Sequence, residues 1–517
     1  MKRVSRAFAC GAALLVVSSL LISQTAAPVA PSIHHALDAI TAANLKGDLS
    51  FLASDALQGR YTPSPGLEVA AEFIAAQFRA AGLEPGGDEE YFQIANMIDR
   101  RMPALQSPVT LEENSQTHSV PTQSTTVTDT NAPVKIEQAP VLVIKGKDPA
   151  SLKGIELTGK AIVVAGLSAA ERHDFDAYRR ARSFDQAVNQ AGAALEITVE
   201  DTRAGPPPAR LIEAADAHQH RVPSLSVASD ELQKWVDQAA DATLKRSVSV
   251  DIPGPQDQNV TVKNVIDVLP GSDPALKKTY VMLTAHYDHI GTTDTADRQA
   301  AKAQGTTADH IYNGANDDGS GTVSVVEIAK ALAGLNPRPK RSIIFMTFFG
   351  EERGLLGSQF YGHHPRFPVA ETVADLNLEQ VGRTDSTEGP QINTASLTGF
   401  DYSDVTKYLE TAGHRVGVRV YLNKSASDPY FVRSDNAALA LLGVPAETLC
   451  VAFDYPDYHG LGDEWQKIDY ENMARVDRMV ALGLIDIANA SKPPEWNAAN
   501  LKTAPFREAQ KKLLGNK

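Results

Sequence analysis

An α/β fold is predicted, with a second, smaller unit set into it. Three observations point there. Between about residues 259 and 492, apolar strand-like runs alternate with stretches of helical spacing, as in sheets covered by helices. From about 134 to 252, short apolar runs are instead separated by polar turns. The length of 517 residues exceeds the ~100–200 of a single domain and leaves room for both units.

The chain opens with Lys2, Arg3 and Arg6, an apolar run from Phe8 to Ile22, and small residues at Ala26, Ala27 and Ala30. That layout predicts a secretory signal peptide over residues 1–30, and the run is short for a membrane span. Export to the periplasm or the extracellular space is therefore expected. Removing the segment takes away three basic residues, so the formal charge falls from −14 to −17. Such an acidic surface argues against nucleic acid or anionic lipid as the main partner. No later stretch is long and apolar enough for stable membrane insertion. Cys10 leaves with the segment, so Cys450 cannot form an intrachain disulfide. Its apolar surroundings, Thr448 to Phe453, predict a buried structural thiol. The oligomeric state has no signature in the sequence.

Leu67, Ala70, Ile74 and Phe78 recur near helical spacing, with Gly82 at the expected end. Residues 115–133 are rich in Ser, Thr, Gln and Pro, a linker or edge-strand composition. Beyond them come the runs Val141–Ile144, Ala161–Val164 and Leu195–Val199, then the loop Gly205-Pro206-Pro207-Pro208. His218 and His220 read as part of a solvated loop, and His363-His364 as surface residues in a Pro-containing loop. The polar tail from Pro493 ends in an amphipathic stretch, Phe506 to Leu514, either a packing helix or a free tail.

Five polar clusters stand at or soon after the carboxyl ends of the later strands, where ligands bind in open α/β sheets. His286-Tyr287-Asp288-His289 follows the run Tyr280–Ala285, and Asp288 is placed to hold the imidazole of His286. Asn316-Asp317-Asp318-Gly319 precedes a helix expected near Thr322, so its carboxylates suit either a helix cap or a bridge between two cations. Glu351-Glu352 follows the strongest strand, Ser342–Phe349; two such residues there are costly unless paired or metal-bound. In extended chain they face opposite ways, so one can bind a metal while the other takes a proton from water. Glu379 ends Leu376-Asn377-Leu378, and His459 lies in Asp457-Tyr458-His459-Gly460-Leu461-Gly462-Asp463. Together the clusters supply two imidazoles and three carboxylates, a ligand set suited to two zinc ions sharing one carboxylate, plus one extra glutamate.

This constellation resembles the co-catalytic zinc aminopeptidase family, which includes glutamate carboxypeptidase, glutaminyl cyclase and the non-enzymatic transferrin receptor. Leu52-Ala53-Ser54-Asp55-Ala56-Leu57-Gln58-Gly59-Arg60 resembles the start of its catalytic domain, and Leu157–Val164 with Val222–Leu225 a protease-associated insert. The resemblance implies a mixed central β-sheet flanked by helices, with an inserted β-rich domain. It implies the boundaries 31–133 for the first part of the catalytic domain, 134–252 for the insert, 253–492 for the zinc-binding part and 493–517 for the tail. It also implies two Zn2+ per chain, held by His286, Asp317, Glu352, Glu379 and His459. Asp317 would bridge the metals, the first and last histidines would bind different ions, and Glu351 would be the general base. Many relatives carry Asp where Glu379 stands. Tyr430-Phe431-Val432-Arg433-Ser434-Asp435-Asn436 resembles a stretch near the substrate pocket, where relatives often have His at the position of Asn436.

The reaction implied is hydrolysis of N-terminal residues from peptides by metal-activated water. A carboxypeptidase or a glutaminyl cyclase on the same scaffold is the alternative, and a binding protein is disfavoured by the retained ligands. The sequence has no G-x-S-x-G elbow, no G-x-x-x-x-G-K-[ST] loop and no C-x-x-C pair, which excludes those chemistries.

Overall fold

Seven-residue runs with no exposed position belong in the middle of a sheet covered on both faces. The computed structural model puts them there. It describes residues 30–168, 171, 175–200, 209–217, 219, 221–240, 245–294 and 309–515. The expected signal segment through residue 29, the Gly205–Pro208 loop and the His218/His220 pair lie outside the described residues.

The main sheet has ten strands. We label β1 (Phe92–Arg101), β2 (Gln256–Leu269), β3 (Tyr280–His286), β4 (Ser342–Phe348), β5 (Thr372–Leu378), β6 (Thr394–Leu397) and β7 (Ala446–Cys450). In space the order is Arg419–Val420, β6, β7, β5, β3, β4, β2, β1, Arg210–Glu213, with the tenth, Glu84–Pro85, paired to β2 off this path. The central four, β7, β5, β3 and β4, run parallel. β2, β1 and β6 are each antiparallel to an inner neighbour, so the sheet is mixed. All four central carboxyl ends therefore open on one edge, and each is followed by one of the polar clusters.

Side chains of a strand alternate between faces, and β4 shows it directly. Ile343 and Phe345 enter one core with Leu283, Ala70, Ile74, Val325 and Met479. Ile344 and Met346 enter the other with Met282, Tyr361, Leu439 and Phe506. The first core is roofed by α1 (Pro65–Ala81), α2 (Gly321–Ala333) and α5 (Tyr470–Asn489), and the second by α3 (Leu356–His363), α4 (Asn436–Leu442) and α6 (Ala504–Gly515). The start of α1 is fixed by Ser64, whose side chain accepts from the Leu67 N–H, and by Pro65 in the first turn. Gly82, at φ 74°, ends it. Each fully buried Leu, Ile or Phe on these faces contributes ~1.5–3 kcal/mol.

The second sheet has eight strands in the order Gln116–Val120, Val109–Glu113, Arg246–Ile252, Val134–Ile144, Ala161–Ala165, Leu195–Val199, Ser224–Val227, Thr125–Asp129. It has its own core around Trp235. The sheet begins at Val109, upstream of residue 134, because the Ser/Thr-rich segment supplies both of its edge strands. Edge strands have one unpaired side and need few apolar residues, so they look like linker in sequence. Arg210–Glu213, between strands of the second sheet in sequence, pairs instead with β1. His363 and His364, at the end of α3, face Glu213 at 3.4 and 2.8 Å, a second tie between the units.

The tail packs. Phe506 of α6 stacks on Trp496 with ring centres 5.1 Å apart and lies 5.2 Å from Phe431. Cys450 is buried and unbonded. Among the described residues, no helix is long and apolar enough to cross a membrane.

Candidate metal centre

The site forms where four parallel strands end together. β3 delivers His286 as its last residue, fully buried. Its Nδ1 stands 3.5 Å from Asp288 Oδ1, and its Nε2 stands 3.4 Å from Asp317 Oδ1 and 3.9 Å from Glu351 Oε2. Neither ring nitrogen makes a hydrogen bond of good geometry, which is unusual for a buried imidazole. Burial disfavours the charged ring, but Glu351, Asp288, Asp317 and Asp318 together push its pKa well above the ordinary histidine value.

Asp317 lies in the turn entering α2, and two carboxylates hold that turn. Asp463 accepts from the backbone N–H of Asn316 at 3.0 Å and of Asp317 at 3.1 Å, and from the Tyr455 hydroxyl at 2.9 Å. Asp318 accepts from the N–H groups of His286, Gly321 and Gln380, tying the ends of β3 and β5 to the start of α2. Gly321 must lack a side chain, since a Cβ would fall 2.5 Å from Asp318 Oδ1. The carboxylate of Asp317 is thus left free to face two histidines, one on each oxygen. His459 Nε2 is 3.0 Å from its Oδ2, opposite His286 on Oδ1. Burial works against ionisation of Asp317, but the two imidazoles outweigh it and lower its pKa.

Glu351 and Glu352 diverge as expected, though through a tight turn at Gly350 (φ 69°) rather than by strand alternation. Glu352 Oε2 is 3.2 Å from His459 Nε2, and its Oε1 is 2.8 Å from His289 Nδ1. Burial opposes its ionisation, yet His459, with His289, brings it down to about 2. Burial likewise disfavours a charged His459, yet Glu352 and Asp317 raise it to about 11. Glu351 faces the His286 side, and burial beside Glu379 and Glu352 pushes it well above the usual carboxylate range. Asp288 links these parts: it accepts from the Glu351 N–H at 3.1 Å and the Thr62 hydroxyl at 3.0 Å while facing His286. Glu379 completes the ring from β5, its Oε2 buried without a hydrogen-bond partner. His459 sits in left-handed backbone (φ 52°) and is stacked on Tyr458 at 4.1 Å.

Two triads emerge. His286, Asp317 and Glu379 offer ligand atoms within 4.8 Å of one another, and so do His289, Asp317 and Glu352. His459 Nε2 reaches the same two carboxylates, Asp317 Oδ2 at 3.0 Å and Glu352 Oε2 at 3.2 Å, the latter oxygen being the one His289 does not face. A buried cluster of this many carboxylates, with unpartnered imidazole and carboxylate atoms, fits cations that would satisfy them all. The hard oxygen and borderline nitrogen donors suit zinc.

Sequence reasoning left His289, Asp318, Asp463 and Arg60 without roles. Arg60 is fully buried and donates to four carbonyls: Tyr287 at 2.8 Å, Leu52 at 2.7 Å, Asn313 at 2.7 Å and Gly314 at 2.9 Å. It fastens the loops that carry Asp288 and Asp317. Gly59 before it has no space for a side chain, since a Cβ would lie 2.2 Å from the Gly291 carbonyl. The available signal was the Leu52–Arg60 motif, which ends on this residue.

Residues 264–483 match peptidase family M28. A probable zinc metalloprotease of Pyrenophora teres f. teres is 30% identical over 176 residues, 34% of this chain and 31% of that protein. Leucine aminopeptidase 1 of Fusarium vanettenii is 27% identical over 195 residues, 35% of this chain and 48% of that one. Aminopeptidase YwaD of Bacillus subtilis is 27% identical over 227 residues, 43% and 44% of the two chains. The matched region thus spans no more than half the length of these curated relatives. The structure of an aminopeptidase from Aneurinibacillus sp. strain AM-1 superposes with a TM-score of 0.56 at 20% identity, covering 88% of this chain and 95% of that one, and establishes the shared fold.

Proposed function

We propose that this chain, which belongs to peptidase family M28 through residues 264–483, is a zinc-dependent aminopeptidase. The observation that carries the reading is the pair of ligand triads sharing Asp317, with Glu351 outside both and 3.9 Å from His286. His286, Asp317 and Glu379 would hold one zinc. Asp317, Glu352 and His459 would hold the other, with His289 fixing Glu352 through the 2.8 Å contact. Asp317 would be the shared ligand, since its two oxygens face different histidines.

Bound zinc supplies Lewis acidity, lowering the pKa of water and polarising a carbonyl. The remaining work falls to the protein. Glu351 accepts the proton of the attacking water and returns it to the leaving amine. Asp288 orients His286 and, through the Glu351 N–H, the turn that carries the base. A small cavity of about 160 Å³ borders Asp317, Glu351, Glu379 and His459. Its walls include Tyr430, Thr448 and Phe453, and its size suits a single residue. That fit supports an exopeptidase, and the surrounding carboxylates support recognition of a protonated amino terminus.

The test compares aminoacyl anilides, free peptides and N-acetylated peptides, with and without chelator. Substrates with a free amine should be hydrolysed, acetylated ones spared, and the activity lost to chelator and regained with zinc. Cleavage of acetylated peptides from a free carboxyl end would replace this reading with a carboxypeptidase, and cyclisation of N-terminal glutamine without hydrolysis with a glutaminyl cyclase.

A further inference from the structure

A second, larger cavity of about 550 Å³ opens on the other side of the glutamate pair. It runs between α3 and α4, and Glu351 and Arg433 line both it and the smaller cavity. Leu355, Val432, Ala437 and Leu441 give it apolar walls. Two arginines stand in this lining, Arg433 from the segment before α4 and Arg182 from the helix Phe175–Gln190 of the second unit. Both are exposed, and neither has a carboxylate partner among the described residues; Arg433 lies over the Tyr430 ring at 4.7 Å. The carboxylates of the lining, Glu351 and Glu352, are turned toward the histidines of the metal centre. His363 is engaged with Glu213, which also anchors the second unit beside the groove. In a chain of formal charge −14, two unpaired guanidinium groups at an apolar groove beside the reacting centre call for an anion.

We propose that this groove binds the leaving part of a short peptide and that Arg433 and Arg182 hold its free terminal carboxylate. The proposal rests on the exopeptidase reading and narrows its substrates to di- and tripeptides with an unblocked carboxyl end. Arg433, lining both cavities, takes the carboxylate of a leaving group one residue long. Arg182, lining only the outer groove, takes that of a longer one.

The test uses the full zinc-loaded chain and leucyl dipeptides and tripeptides, each as free acid and as carboxyl-terminal amide, with leucine p-nitroanilide as a carboxylate-free reference. A charge-assisted contact predicts kcat/KM about tenfold or more higher for acid than for amide. Arg433→Gln should bring the dipeptide ratio to about one, and Arg182→Gln the tripeptide ratio, whatever each does to absolute rates. Titration calorimetry of the same acids and amides reads the preference without turnover. Failure to cleave the anilide while the acid still binds more tightly would reject the aminopeptidase reading and keep the carboxylate site. Equal binding and equal kcat/KM for acid and amide, or ratios unchanged in both variants, would overturn the proposal.

Discussion

Replacing Arg60 tests how the metal centre is held. Its guanidinium is the donor for four buried carbonyls, two of them on Asn313 and Gly314 just before Asp317 and one on Tyr287 just before Asp288. Burial lowers its pKa to about 10, against the pull of Asp288, Asp463, Asp318 and Asp317, so it remains charged at neutral pH. Arg60→Met leaves the Leu52, Tyr287 and Asn313 carbonyls without a donor, while Gly314 keeps the Gly319 N–H at 3.1 Å. Each orphaned buried acceptor costs ~1–3 kcal/mol, so even the low end gives ~3 kcal/mol, a large share of the ~5–15 kcal/mol that holds a domain folded. Arg60→Lys keeps the charge, but its donors sit on one nitrogen without the planar fork that spans Tyr287 on one side and Leu52 and Asn313 on the other, so one carbonyl stays unpaired, at about 1–3 kcal/mol. Urea denaturation followed by circular dichroism, with zinc content of the purified variants, reads both effects. Met should lower the midpoint more than Lys, and zinc content should fall in the same order. An Arg60→Met protein with wild-type midpoint and wild-type zinc would refute this account of the loops.

Glu351→Gln should retain zinc and lose about 10²–10⁴ in kcat, as expected for removal of a general base; kinetics with metal analysis on the same sample decides it. Chelation should lower the thermal midpoint, because the carboxylates gathered at Asp317 lose their counter-charge, and added zinc should raise it again with concentration, read by calorimetry. Asp477, buried beside Ser324 and Glu327, has its pKa raised by burial from 3.8 to about 8. The folded state therefore holds that proton more tightly than the unfolded one, so the stability this group contributes is complete below about pH 4 and is lost as pH rises toward 8. Asp477→Asn should be more stable than wild type at pH 7–8, the gain shrinking toward pH 4; a gain independent of pH in urea melts would contradict this.

Features encoded locally were legible in the sequence. The period of α1, its Gly82 end, and the full burial of β4 follow from spacing and apolarity alone. Four of the clusters were legible because polar residues after a buried strand are conspicuous, and the Asp317 turn because carboxylates among glycines open a helix. What holds those clusters was not legible. Asp463 reaches the Asn316 N–H 147 positions away, and Arg60 reaches the Gly314 carbonyl 254 positions away. Bonds from a side chain to distant backbone leave no periodic trace. His289 was hidden for a related reason: the folded turn at Glu352 brings a carboxylate to its ring. Edge strands such as Gln116–Val120, with an exposed pattern, resembled linker until their pairing with Val109–Glu113 was seen.

The central claim is a pair of metals sharing Asp317. Anomalous diffraction at the zinc edge, from crystals grown with zinc, tests it most directly. The account predicts two peaks per chain, one between His286, Asp317 and Glu379 and the other between Asp317, Glu352 and His459. A single peak, or peaks that do not both touch Asp317, would contradict it.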